Sequence, residues 1–213
     1  MRVETDRKRD ALAELGEIAG SVLHELRNPL GVIESSIYLI QKKPDDAARR
    51  DKHLMRMAEQ IQHAKAVIAG LLDLLRDVPL HTDAVAVAVV LAAVTRDTTV
   101  EVEPTSARVQ ADATLLVQAL RNLVDNALQW ARSKVHVSVR ARDAMIDVRV
   151  QDDGPGVPAE LLPRLFQPLA TSRPDGTGLG LSLCRRIAER HGGALCYRFE
   201  GGACFTLSLP VAR

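Results

Sequence analysis

A carboxylate that ends an alternating apolar strand just before two glycines can read the polar edge of a flat ligand. In Ile146-Asp147-Val148-Arg149-Val150-Gln151-Asp152-Asp153-Gly154-Pro155-Gly156, Asp152 keeps the parity of Ile146, Val148 and Val150. Its side chain therefore points towards the covered side of the strand. A carboxylate there is costly unless something hydrogen-bonds it, and Gly154 and Gly156 let a ligand approach the backbone. Taken singly, the Asp-Gly pair more often just opens a turn. Further on, Gly176-Thr177-Gly178-Leu179-Gly180-Leu181 leads into a helix, and alternate glycines there let backbone N–H groups converge on phosphate. No Gly-Lys-Ser/Thr follows, so this is not a P-loop, and it does not sit in the first turn of a Rossmann unit. A third piece is the pair Asn122 and Asn126, four apart on one helix face with Gln118 and Gln129 roughly in line. Asparagine is a mediocre helix former. Two of them in mid-helix could hold Mg²⁺ alongside phosphate oxygens, because that ion takes few protein ligands.

A nucleophile stands far upstream. His24 lies in Val22-Leu23-His24-Glu25-Leu26-Arg27-Asn28-Pro29, and neutral imidazole is a good nucleophile near pH 7. Glu25 is the candidate carboxylate to fix its tautomer, although helix neighbours point about 100° apart and the contact must bend back. Asn28, at i+4, shares the face of His24. On composition alone a His-Glu pair on a helix is usually a solvated surface.

The elements that position these groups follow from periodicity. From Asp10 to about Lys42 a helical stripe runs through Leu12, Leu15, Ala19, Val22, Leu26, Leu30, Ile33, Ile37 and Ile40. His24 falls between the seam residues Val22 and Leu26, which puts it on the flank. Pro29 removes the bond to the Glu25 carbonyl and should kink the helix. Lys43-Pro44-Asp45-Asp46 breaks the stripe, with Asp45 or Asp46 as N-cap of a second helix carrying Leu54, Met57, Ile61, Ala64, Ile68, Leu71, Leu72 and Leu75. Such a hairpin leaves one apolar face over, and a second copy covers it as a homodimeric four-helix bundle. Asp77-Val78-Pro79 ends the hairpin, predicting a helical domain over 1–77 and a second domain over 78–213.

In the second domain, Ala84–Val94 is apolar without a clear period, and Val100–Glu103 alternates like a strand. A helix is predicted over Asp112–Ala131, with Leu115, Leu116, Ala119, Leu120, Leu123 and Ala127 on its apolar side. Strands follow around Val135–Arg140 and Ile146–Gln151, then a helix to about Arg190 and strands over Ala194–Phe199 and Ala203–Leu209. Strands plus helices that cover one face predict an α+β fold, a two-layer sandwich.

Asn-Leu-Val-Asp-Asn-Ala, Asp-Asp-Gly-Pro-Gly and Gly-Thr-Gly-Leu-Gly-Leu, in that order, closely resemble the N, G1 and G2 boxes of histidine kinases. Ala19–Leu30 resembles the phosphoacceptor H box. The resemblance runs from about Leu12 to Leu209 and is closest to nitrogen-regulatory-type sensor kinases. It implies a Bergerat-type ATP-binding fold shared with gyrase, Hsp90 and MutL. It also implies that Asp152 accepts from the adenine amino group, that Asn126 holds Mg²⁺ with help from Asn122, and that Gly176, Thr177, Gly178, Leu179 and Gly180 wrap the phosphates. Leu165–Arg173 resembles the F box and a short ATP lid, with Arg173 placed to meet the γ-phosphate. Glu25 and Asn28 resemble the acidic-x-x-Asn/Thr pattern with which such kinases also dephosphorylate their partner. Three positions depart from the pattern: Leu169 replaces a second Phe, Gln129 a Lys or Arg, and Trp130 a Tyr or Phe that can still stack on adenine.

The implied reaction is autophosphorylation of His24 by MgATP and transfer to an aspartate of a response regulator. Two rivals are a scaffold that keeps the fold without using ATP, which intact boxes disfavour, and a gyrase- or Hsp90-type clamp, which carries a Glu where Asn122 stands. With 28 basic and 27 acidic residues and a formal net charge of +1, nothing suggests a nucleic-acid or membrane surface. Cys184, Cys196 and Cys204 lack metal spacing and read as reduced thiols. No apolar run approaches the ~18–20 residues of a transmembrane helix, and a charged start without a signal peptide predicts a cytoplasmic chain cut from a longer protein.

Overall fold

The computed structural model describes residues 2–43, 45–75, 79–96, 98–173 and 176–212, with side chains described from Gly20 onward except those of Ser21 and Leu75. The chain divides into two compact units, Met1–Leu75 with Arg173–Leu179, and Arg76–Ser172 with Gly180–Arg213. The boundary expected at 77/78 falls on residues outside the described ones.

The first unit is an antiparallel pair of helices, α1 (Arg2–Lys42) and α2 (Ala47–Leu75). Helix α1 starts before Asp10, since Glu, Arg and Lys in its first turns are good helix formers. It continues through Pro29. Asp46 caps α2 by accepting the Arg49 amide at 3.0 Å, while the Pro44 of the expected break lies outside the described residues. Val22 and Leu74 are nearly inaccessible and Val67 fully so. Leu30, Ile37, Ile61, Ile68 and Leu72 of the predicted stripes remain exposed. Leu12, Leu15 and Ala19 of that stripe lie outside the described side chains.

The second unit is a sheet with helices on one face. Its elements are β1 (Asp83–Ala86), α3 (Val87–Thr95), β2 (Glu101–Val102), β3 (Arg108–Ala111), α4 (Ala113–Trp130), β4 (Val135–Arg142), β5 (Met145–Asp152), α5 (Gly180–Arg190), β6 (Ala194–Phe199) and β7 (Ala203–Pro210). The five-stranded sheet has the order β2-β4-β5-β7-β6, with β2 parallel to β4 and the other pairs antiparallel. A separate antiparallel pair joins β1 to β3. The apolar Ala84–Val94 stretch thus divides into a strand and a helix. Strand β3 has no counterpart in the sequence reading, because four residues pairing over a long separation leave no periodic signature.

Burial alternates strictly along β5, with Ile146, Val148, Val150 and Asp152 inside. Helix α4 packs on β4 and β5, and α5 on β6 and β7. The buried side of α4 is Leu116, Ala119, Leu120, Leu123, Val124 and Ala127. Val124 replaces Leu115, which is half-buried, as a core position. Each such Leu or Val contributes about 1.5–3 kcal/mol by burial. That face is what holds Asn122 and Asn126 in place. The three cysteines are unbridged.

Candidate active site

Asp152 ends β5 on the helix-covered side and is only 3% exposed. Its Oδ1 accepts the Gly154 amide at 2.8 Å and the Ala203 amide at 3.0 Å. Its Oδ2 is buried and has no hydrogen-bond partner among the described residues. Leaving a buried acceptor unmade costs about 1–3 kcal/mol, more if charged. The amino group of a planar base is the kind of donor that would satisfy it.

The backbone around Asp152 is tightly held. A Cβ on Gly154 would lie 2.3 Å from the Trp130 carbonyl oxygen, so only glycine fits between the end of α4 and the end of β5. Gly156 has φ +78° and backs onto the Phe199 ring, which a Cβ would meet at 2.6 Å. Next to it the Val157 amide donates to the Tyr197 Oη at 3.0 Å, and Tyr197 is braced by Phe205 with ring centroids 5.3 Å apart. Strand β6 thereby fixes the glycine segment from behind.

Helix α4 presents the remaining groups of this unit. The Asn122 Nδ2 donates to the Gln118 carbonyl at 3.1 Å, which leaves its oxygen for another partner. That oxygen would lie 3.3 Å from a Cβ on Gly180, the first residue of α5, and so sits at a helix N-terminus suited to anions. Asn126, one turn on, and Trp130, the last residue of α4, are half-buried. The sheet unit therefore brings together Asn122, Asn126, Trp130, Asp152, Gly154, Gly156 and Gly180.

Arg173, Gly176, Thr177, Gly178 and Leu179 fall in the other unit's segment. There the Gly176 amide donates to the Arg173 carbonyl at 3.3 Å, and the Leu179 amide meets the Thr177 Oγ1 at 3.4 Å. Gly178 takes φ +63°. Leu169, the position that departs from the F-box pattern, is a non-glycine residue at φ +63°, a conformation that L side chains seldom adopt.

On the hairpin, His24 and Asn28 are exposed, whereas Val22 is buried and Leu26 half-buried. The ring of His24 is thus open to an incoming group. Glu25 is turned towards α2, where its Oε1 lies 3.5 Å from the Nε2 of His63. Adjacent helix positions project in different directions, and here Glu25 meets α2 while His24 meets solvent.

Four residues with structural roles, His63, Tyr197, His191 and Asp153, give no signal of them in the sequence. His63 carries no motif. Tyr197 and His191 act through contacts 40 and 79 residues distant in sequence. The His191 Nδ1 lies 2.7 Å from the Ile187 carbonyl and its Nε2 accepts the Asp112 amide at 2.9 Å, which fixes the neutral Nδ1–H tautomer. Asp153 reads as a turn residue in an Asp-Asp-Gly string, yet it accepts from three successive amides, Arg132 to Lys134.

Residues 14–77 match the His Kinase A (phospho-acceptor) domain, and residues 111–213 match the histidine kinase-, DNA gyrase B- and HSP90-like ATPase domain. The chain is 33% identical to the sensor histidine kinase ZraS of Klebsiella oxytoca over 98% of its own length and 48% of that protein. It is 32% identical to the sensor protein kinase PilS of Pseudomonas aeruginosa over 95% of itself and 42% of PilS. The chain therefore spans about half the length of the curated relatives it matches. Among solved structures, the histidine kinase ThkA in complex with the response regulator protein TrrA superposes with a TM-score of 0.81 at 27% identity, covering 99% of this chain and 66% of that one. The mycobacterial sensor histidine kinase MprB gives 0.56 at 28% identity, over 62% of this chain and 98% of MprB. With a phosphoacceptor hairpin and an ATP-binding domain matched in order along one chain, this protein belongs to the sensor histidine kinases.

Proposed function

We propose that the chain phosphorylates its own His24 at the expense of ATP and passes the phosphoryl group to an aspartate of a response-regulator receiver domain. The observation that carries this reading is the buried, unpartnered Oδ2 of Asp152, an acceptor awaiting the adenine amino group in the same chain as an exposed histidine. Trp130 stacks on the base, and the Gly176–Gly180 segment supplies amides to the phosphates. Arg173 neutralises the γ-phosphoryl as it leaves.

Mg²⁺ fits the donor set, since neutral amide oxygens of Asn126 and Asn122 complement phosphate oxygens without over-neutralising the ion. When bound it screens phosphate charge. His24 attacks through a neutral ring nitrogen, and its exposure lets the ATP-binding domain reach it. Glu25 accepts the proton of the far ring nitrogen once it swings from His63, and Asn28 orients water when the reaction runs as receiver dephosphorylation.

The domains in this reading are 1–77, for dimerisation and phosphotransfer, and 78–213, for ATP binding. The exposed Leu30, Ile37, Ile61, Ile68 and Leu72 support a homodimer through a four-helix bundle. The ThkA–TrrA complex supports a receiver domain as partner. Among the described residues no helix is long and apolar enough to cross a membrane, and a reaction that draws on ATP and a receiver domain takes place in the cytoplasm.

Incubation with γ-labelled ATP should give an acid-labile, base-stable label on the protein, abolished in His24→Gln. A label that survives His24→Gln sinks the assignment. Steady ATP turnover with no phosphorylated protein favours the clamp reading.

A further inference from the structure

We propose that Asp153 is a positioning residue for the nucleotide, tying the loop after α4, and with it Trp130, to the strand end that presents Asp152. The proposal rests on the reading that Asp152 and Trp130 hold the adenine.

The carboxylate is fully engaged. Its Oδ1 accepts the amides of Arg132 at 2.7 Å, Ser133 at 3.0 Å and Lys134 at 3.1 Å. Its Oδ2 accepts the Ser133 hydroxyl at 2.7 Å and lies 3.1 Å from the Ser133 amide. Every donor comes from three of the four residues that link α4 to β4, Arg132 to Lys134, and each bond closes 19 to 21 residues of chain. Bonds from N–H and O–H groups to an ionised acceptor are about twice as strong as neutral ones.

The clip lies between the two groups that must stay in register. On one side Asp153 is covalently next to Asp152, whose Oδ2 is the open acceptor. On the other, the held loop begins two residues after Trp130, whose carbonyl already touches Gly154. A base that stacks on Trp130 while donating to Asp152 needs the end of α4 and the end of β5 at fixed separation. Asp153 is the side chain that spans them. In support, the Ser133 hydroxyl and amide and the Lys134 amide hold the Asp153 carboxyl well below the usual carboxylate range.

The chain has one tryptophan, so Trp130 emission reports on this site alone. ADP should be titrated into the full chain and into Asp153→Ala, Asp153→Asn, Ser133→Ala and Asp112→Ala, followed by Trp130 fluorescence and calorimetry, with melting recorded without nucleotide. Asp153→Ala should weaken ADP at least ~10-fold and shift the nucleotide-free Trp130 emission. Asp153→Asn, which keeps the Oδ1 acceptor, should recover most of the affinity, and Ser133→Ala should fall between it and wild type. If Asp153→Ala does not fold, Asp153→Asn and Ser133→Ala carry the comparison, with a loss of a few-fold expected in each.

Wild-type ADP affinity and emission in the Asp153 variants overturn the proposal. So does an equal loss in Asp112→Ala at matched melting temperature, because Asp112 caps the far end of α4 and would act through stability only. Failure of the underlying reading is separate: Asp152→Asn that binds ADP normally removes the adenine assignment whatever Asp153 does.

Discussion

The two oxygens of Asp152 have different employment, and the difference predicts different outcomes for one substitution. Oδ1 holds the turn through Gly154 and Ala203, whereas Oδ2 is buried without a partner. In Asp152→Asn the amide oxygen can keep the turn while the NH₂ group takes the place of Oδ2 and, under the proposed adenine reading, meets the adenine amino group donor against donor. Nucleotide affinity should fall roughly 10–100-fold, about 1.5–3 kcal/mol, while the melting temperature without nucleotide changes little. Calorimetric titration with ADP and a thermal melt read the two effects, and a large drop in melting with unchanged affinity would reverse the assignment of the two oxygens.

At the scale of elements, α4 is the part that must not move, and it is pinned at both ends. At its start Asp112 accepts the Thr114 and Leu115 amides at 3.0 and 3.2 Å, while the Asp112 amide donates to His191 beyond α5. At its end the Trp130 carbonyl seats against Gly154. Gly154→Ala forces a Cβ to within 2.3 Å of that carbonyl and 2.9 Å of the Asp152 carboxylate. Both neighbours are fixed, so α4 and β5 must part. A stability loss of about 1–3 kcal/mol is expected, together with loss of ADP binding. Urea unfolding followed by Trp130 emission measures it, and full stability in Gly154→Ala would show that this packing is loose.

At the scale of the whole molecule, acid should act on the ATP-binding unit through two carboxylates. Burial pushes the Asp112 carboxyl up, but the Leu115, His81 and Thr114 amides outweigh it and hold the group below its ordinary value. Asp153 is held lower still by Ser133 and its neighbours. Both are more easily ionised in the fold than in the unfolded chain. Their contribution is therefore complete above the unfolded pKa of about 3.9 and is lost as pH falls through the lower folded values. The melting temperature should be insensitive to these groups from neutrality to about pH 5 and should drop below about pH 4. Asp112→Asn should flatten part of that drop. Identical acid limbs in wild type and Asp112→Asn would assign the sensitivity elsewhere.

The sequence alone determined what is local and periodic. The stripe through Val22 and Leu26 implied an exposed His24, and the parity of β5 turned Asp152 inwards, because side-chain direction follows the period of the element. It also determined the order of the nucleotide boxes, since each box is a short contiguous string. Only the tertiary structure decided which oxygen of Asp152 is open, that Glu25 meets His63 on α2, and that β3 exists. These depend on residues 51 and 38 positions apart in the first two cases and 22 to 28 apart in the third, separations that no periodicity encodes. Asp153 shows the divide most plainly. In the string Asp-Asp-Gly it is a turn residue, and only folding brings the Arg132–Lys134 amides onto it, because backbone donors carry no mark in a sequence.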